Sequence, residues 1–246
     1  AQAIPQPQPN GNLLLADEFG DAGQSARPSF GDEYMRWEVS DGVGRLASSS
    51  ADDEVSAQYT APIVADLLLE VDLRIPSTET DGAGVIVRGS DLWESEGTAW
   101  HYYHIGVRPK TRIIELGLLR EGNQDVEQLD SCRIPPSLSS FDVFRRLRVE
   151  ALGDQFSIFV DGVFVCTMAD GALRAPGLVG LFLGVPEDLS SKGEAIAEFA
   201  NLRVYALRAA DAPATPATPA ITQEAAATQK PTATQAANTR FADDFS

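Results

Sequence analysis

Few side chains in this 246-residue chain have the type and spacing that chemistry needs. Glu70-Val71-Asp72-Leu73-Arg74 is the first such stretch. On a strand, Glu70, Asp72 and Arg74 alternate onto one face, with Glu70 and Asp72 about 7 Å apart at Cα. Two carboxylates that approach to ~5–5.5 Å can serve as nucleophile and general acid of a retaining glycosidase. The plainer reading is a polar solvent face opposite Leu69, Val71 and Leu73, in which Asp72 and Arg74 compensate each other. His101 and His104 are the two histidines. Three residues apart on a strand, they point to opposite faces and make a poor metal pair. No Ser/His/Asp or Cys/His arrangement and no glycine-rich phosphate loop accompanies them. Trp93, Trp100, Tyr102 and Tyr103 gather around one loop and strand. Aromatic faces stack on pyranose rings, so Trp93, Trp100 and Tyr102 are the carbohydrate candidates. Strand alternation nevertheless assigns at least half of that group to a core.

Cys132 and Cys166 are open to two readings. In an exported protein they form a disulfide. It would close a 34-residue loop, worth about 3–4 kcal/mol on the chain-entropy account. Otherwise they are two buried thiols.

The elements that must position these residues are strands. From Arg146 to Gly184, Leu147, Val149 and Ala151 alternate with charged residues, and Phe156, Ile158 and Val160 continue after Gly153-Asp154. Asp161-Gly162 marks a tight hairpin, because both turn residues must tolerate positive φ. Val163, Val165 and Thr167 carry the ladder on, and Pro176-Gly177 turns the chain into Leu178–Gly184. Three or four strands in this meander need a second sheet over their apolar face. Elsewhere strands are expected at Leu13–Phe19, Tyr34–Val39, Gly44–Ala47, Ser56–Tyr59, Ala65–Ile75, Gly84–Arg88, Trp100–Val107, Arg112–Arg120 and Glu194–Leu207. Asn123–Ser140 is expected to be a long connection. No helical period of any length interrupts them. The fold class is therefore all-β: a two-sheet antiparallel sandwich or jelly roll with an extended N-terminal arm, a C-terminal linker and a terminal strand.

These segments resemble the concanavalin A-like (laminin-G/glucanase-type) β-sandwich domains of bacterial extracellular proteins. The likeness rests on Arg146–Gly184, Leu15–Phe19, Trp37-Glu38-Val39 with Gly42–Leu46, Leu69–Ile75, Gly84–Arg88, Tyr102–Val107 and Glu198–Tyr205. It spans Leu13 to Leu207. The resemblance implies the fold and says little of function, since lectins, glycosidases and structural modules share it. The glucanase branch carries Glu-x-Asp-x-Glu on one strand, where this chain has Arg74 in the third place. On that ground no catalytic residue is assigned and the chain is expected not to be an enzyme. The resemblance also implies Ca²⁺, for which Asp17, Glu18 and the run Asp52, Asp53, Glu54 are weak candidates. The family's closing strand usually reads Phe-Asp-Asn. Here it is Phe199-Ala200-Asn201, which counts against a calcium site there. For Asp52–Glu54 the plainer reading is a solvated acidic turn.

Charge narrows the partners. Nineteen Lys and Arg against 36 Asp and Glu give a net charge of −17. Such a surface argues against nucleic acid and anionic membranes. No apolar run reaches the ~20 residues that span a bilayer. Ala1-Gln2-Ala3 has the look of the end of a secretion signal, so an extracellular or cell-surface protein is expected.

Four segments follow: an arm at 1–12, the sandwich at 13–208, an Ala/Thr/Pro linker at 209–240 and a terminal strand at 241–246. The linker is PPII-prone at Pro213, Pro216 and Pro219, and its threonines suit O-glycosylation. Phe241, Ala242, Asp243, Asp244, Phe245 and Ser246 closely repeat Leu15–Gly20. Either a tandem repeat begins again there, or this strand inserts into a neighbouring sandwich. The second reading makes the chain a structural subunit of a head-to-tail filament or surface layer, its partners other copies of itself. The alternative is a secreted lectin-like module that binds glycans, or distantly a glycoside hydrolase.

Overall fold

The structure, a computed structural model, describes residues 12–20, 25–26, 30–31, 34–50, 54–90, 101–120, 126–189 and 193–207. The strands in order are β1 Leu13–Asp17, β2 Phe30–Gly31, β3 Met35–Ser40, β4 Val43–Ser48, β5 Glu54–Gln58, β6 Leu67–Arg74, β7 Gly82–Gly89 and β8 Tyr102–Arg108. They continue with β9 Ile113–Leu119, β10 Glu127–Arg133, β11 Arg145–Leu152, β12 Gln155–Val160, β13 Val163–Ala169, β14 Leu178–Gly184 and β15 Ala195–Ala206. Among the described residues they form two antiparallel sheets. One runs β13-β12-β11-β6-β15-β4-β3-β2, with β1 also on β15; the other runs β10-β9-β8-β7-β14-β5.

Alternation builds the core between them. Leu67, Leu69, Val71 and Leu73 of β6 are buried, as are Leu147, Val149 and Ala151 of β11 and Phe156, Ile158 and Val160 of β12. They meet Val85 and Val87 of β7, Ile105 and Val107 of β8, Leu116 and Leu118 of β9, and Leu181 and Leu183 of β14. At one end Trp37 packs edge-on against Phe19, with ring centroids 5.8 Å apart. Asp17 sets that contact. Its Oδ1 accepts the Phe19 N–H at 2.9 Å and turns the chain, leaving Phe19 at φ 48° with its ring in the core. Asp161 and Gly162 are at φ 48° and 75°, the double positive turn that the β12–β13 hairpin needs.

The structure settles the length of the meander and the state of the cysteines, and it changes one expectation. The meander ends at β13, because β14 crosses to the other sheet and pairs there with β7 and β5. The exposed sides of Val163 and Phe164 follow from β13 being an edge strand, with a register shift between Ile158 and Phe159. The connection 123–140 contains a strand, β10, paired to β9. Its sequence, EQLDSCR, is exposed at most positions, so no apolar alternation announced it. Cys132 of β10 and Cys166 of β13 are joined by a disulfide, with Cα atoms 6.5 Å apart. Both strands are sheet edges, so the bond ties the two sheets together along one open side.

Candidate functional site

The outer face of the six-stranded sheet carries an unusual load. Register aligns Glu54, Ser56 and Gln58 of β5 with Gly184, Phe182 and Gly180 of β14. Phe182 lies opposite Gly84 of β7, which lies opposite Gly106 of β8, which lies opposite Glu115 of β9. Gly180, Ile86, His104 and Gly117 make the next row. The glycines let rings lie along the sheet. A Cβ on Gly106 would stand 2.8 Å from Phe182 Cζ, and one on Gly117 would stand 2.2 Å from His104 Nε2. The His104 and Phe182 rings therefore stack, with centroids 4.6 Å apart and planes 7° from parallel. Ile86, Tyr102, Leu119 and Phe182 form a second apolar cluster on this face.

Into that setting the sheet places charges. His104 Nδ1 is 3.3 Å from Glu54 Oε2, and Nε2 is 3.4 Å from Glu115 Oε1. The Tyr102 hydroxyl donates to Glu54 Oε1 at 2.6 Å. Arg108 Nε donates to Glu115 Oε2 at 2.5 Å, and Arg108 also pairs with Asp81. Glu115 and His104 side chains are 3% and 6% exposed, while Glu54 is 21% exposed. Burial alone would drive His104 towards neutrality. Its contacts with Glu115 and Glu54 outweigh that and lift the imidazole to about 9. Burial likewise pushes Glu115 up, but His104 and Arg108 hold its carboxyl below the usual range. Burial, then the charge of Glu54, drives the Tyr102 phenol far above its ordinary value. At neutral pH the cluster thus holds an imidazolium between two glutamates.

None of this was read from the sequence. His104 and Glu115 sit inside otherwise apolar or aromatic runs, YYHIGV and IIELGLL, and a lone imidazole or carboxylate in such a run was the available signal. Glu54, a weak calcium candidate, is instead partner to Tyr102 and His104. The donors around His104 face one another across the ring rather than a shared point, which does not suit a cation. Among the described residues no group of three or more His, Cys, Asp or Glu side chains is arranged to hold a metal. Asp17 accepts from the N–H groups of Phe19 and Ala26 and the hydroxyls of Ser25 and Tyr59. Those four donors occupy its lone pairs. Glu18 pairs with Arg203.

Glu70 and Asp72 lie on the outer face of the other sheet. Asp72 is held by Arg146 at 2.8 and 3.0 Å and by Asn201 at 2.7 Å. Burial raises its pKa, but these partners prevail and keep the carboxyl low. Glu70 is 3.8 Å from Arg148, and Arg74 pairs with Glu198. Asp72 and Arg74 therefore do not compensate each other as expected; each finds its partner on a neighbouring strand. Tyr102 is buried with its hydroxyl committed, so it offers no open stacking face. Trp93, Trp100, Asp52, Asp53 and the expected inter-subunit strand Phe241–Ser246 lie outside the described residues. A cleft of about 370 Å³ at one end of the sandwich is lined by Pro76, Ser77, Thr80, Lys110, Ser139 and Phe141 among others. Its Ser77, Thr80 and Ser139 hydroxyls are spent on backbone carbonyls of Glu194, Ile196 and Pro136.

No family model matches the sequence, and no curated protein matches it. Solved structures do match. The β-glucanase of Bacillus licheniformis is 13% identical, with 82% of this chain and all of that one covered and a TM-score of 0.57. A κ-carrageenase from Zobellia galactanivorans is 15% identical over 82% of this chain and 98% of that one, at 0.54. A Bacillus subtilis protein of unknown function with a galectin-like fold is 12% identical over 79% and 96%, at 0.59. The first two are enzymes named for the polysaccharides they act on. They overturn the expectation that this chain is not an enzyme. That expectation rested on Arg74 in place of the third carboxylate after Glu70 and Asp72, and on the two histidines and the absence of a Ser/His/Asp or Cys/His arrangement; Glu70 and Asp72 lie on the sheet opposite Glu54 and Glu115. At these identities the likeness is one of architecture, and the architecture of this chain is the concanavalin A-like jelly-roll sandwich.

Proposed function

We propose that this chain is an extracellular carbohydrate-active protein that engages a glycan on the outer face of its six-stranded sheet, at Glu54, His104 and Glu115. One observation carries the reading: an imidazole and a glutamate are buried together on a sheet face, away from the main core. Burying ions costs several kcal/mol each, and a well-packed apolar substitute is often as stable. A cluster of this kind is better accounted for by a use than by stability. The likeness to a glucanase and a carrageenase supports the carbohydrate class.

Hydrolysis is the reading that the likeness to a glucanase and a carrageenase adds to binding. Cleaving a glycosidic bond requires a group with a proton to give and a carboxylate without one. Both ring nitrogens of His104 face Glu54 and Glu115, and both Glu115 oxygens are held by His104 and Arg108, so the cluster has to open before either group can act on a glycan. Head-to-tail assembly through Phe241–Ser246 has only the sequence repeat behind it, and the glycan reading has the sheet-face cluster as well. Reducing-end release and binding are to be measured over a panel of neutral and sulfated polysaccharides. Hydrolysis lost by both Glu115→Gln and Glu54→Gln supports catalysis. Binding without release leaves a lectin. Neither activity on any member of the panel sinks the reading.

A further inference from the structure

Gln58 ends the β5 row whose other outward side chains are Glu54 and Ser56. It is 3% exposed. Among the described residues, neither its Nε2 nor its Oε1 has a hydrogen-bond partner. Native proteins rarely leave a buried amide in this condition, and each instance asks for a reason. The surroundings show how the amide is placed. Gln58 is opposite Gly180, where a Cβ would lie 3.0 Å from its Cγ, so the side chain runs across that bare backbone. The amide end approaches Gly89, where a Cβ would stand 3.7 Å from Nε2. Gly180 is followed in the row by Ile86 and then His104. Gln58 thus shares a row with the imidazole, three strands away, or roughly 14 Å at the usual strand spacing.

A leucine or methionine here would pack beside Ile86 and Phe182 with no polar group to satisfy. Glutamine is retained with a donor and an acceptor both idle. That pair of functions matches one chemistry well: neighbouring sugar hydroxyls, one accepting from Nε2 and the other donating to Oε1. A sulfate or carboxylate only accepts. It would answer Nε2, leave Oε1 unmet, and approach a chain of net charge −17.

We propose that Gln58 forms a subsite on the six-stranded sheet in which its amide bridges two hydroxyls of a neutral pyranose. This rests on the glycan reading above and narrows it to uncharged polysaccharide. Because the amide is withdrawn from solvent, a sugar has to displace what covers it.

The test uses the full chain and its Gln58→Met variant. Calorimetric titrations employ neutral tetrasaccharides of glucan, mannan, xylan and galactan, with a κ-carrageenan tetrasaccharide as the sulfated probe. At least one neutral sugar is expected to bind the unaltered protein more tightly than the sulfated one. Gln58→Met should weaken that binding roughly tenfold or more, yet melt at a higher temperature, since it removes two unsatisfied groups. Binding within twofold of the unaltered protein overturns the subsite while leaving the glycan reading intact. A lower melting temperature overturns it too, because the amide would then be serving the fold through a buried water. Preference for the sulfated probe overturns the neutral class. No binding of any sugar by the unaltered protein removes the glycan reading and this subsite together.

Discussion

The His104 cluster makes stability depend on pH in a direction that can be worked out. An imidazole at about 9 in the folded chain, against 6.5 without its partners, binds its proton more tightly folded than unfolded. Its contribution is complete below pH 6.5 and drains away as pH rises through 9. Every tenfold gain in proton affinity is worth about 1.4 kcal/mol, so the tighter hold amounts to about 3 kcal/mol. For a domain of this size that corresponds to roughly 6–12 °C in Tm. The groups facing the ring are Glu54, Glu115 and Tyr102, with Arg108 and Asp81 behind Glu115. Glu115 is held low and matters only in acid. Tyr102 is driven far up, and Tyr103 is pushed up to about 12 by burial and by its bond to Asp170, so both act above the window. Urea unfolding at pH 6 and pH 9.5 is the assay. The unaltered protein should lose about 3 kcal/mol between the two, and His104→Gln should lose little, with His101 present in both as an internal control. A flat profile for the unaltered protein, or the same loss in His104→Gln, refutes the reasoning.

Other expectations follow from single contacts. Gly117→Ala places a Cβ 2.2 Å from His104 Nε2 and must displace the ring, so an NMR titration should find that imidazole returned towards its ordinary value. The double change Cys132→Ser and Cys166→Ser frees a 34-residue loop and should cost about 3–4 kcal/mol in urea unfolding, with both edge strands exchanging amide hydrogens faster. Asp17→Ala removes the acceptor of the Phe19 and Ala26 N–H groups and one partner of the Tyr59 hydroxyl. A loss of about 3 kcal/mol is expected, with a shift in Trp37 fluorescence as Phe19 loosens.

Alternation made the sandwich legible. The apolar faces of β6, β11 and β12 and the Asp161-Gly162 turn are local facts, and local facts survive in sequence. Sheet order does not. Nothing local moves Leu178–Gly184 away from the strand before it, and the crossing only becomes visible once β7 and β5 take it between them. The site depends on that order. Glu54 and His104 are 50 residues apart, and they meet because β5, β14, β7 and β8 are successive neighbours. Asp72 illustrates the same gap, since Arg146, 74 residues away, holds it while Arg74 turns to Glu198. What was legible and overlooked is chemical. A lone histidine in β8 and a lone glutamate in β9 are costly in apolar strands, and that cost points outward from the core to the opposite face.

Hydrogen exchange with and without a neutral tetrasaccharide that binds tests the central claim most directly. Protection should concentrate in β5, β7, β8, β9 and β14, the strands that carry Gln58, Ile86, His104, Glu115 and Phe182. Protection confined to β6, β11 and β15 of the nine-stranded sheet, or to the cleft around Pro76 and Lys110, would contradict it.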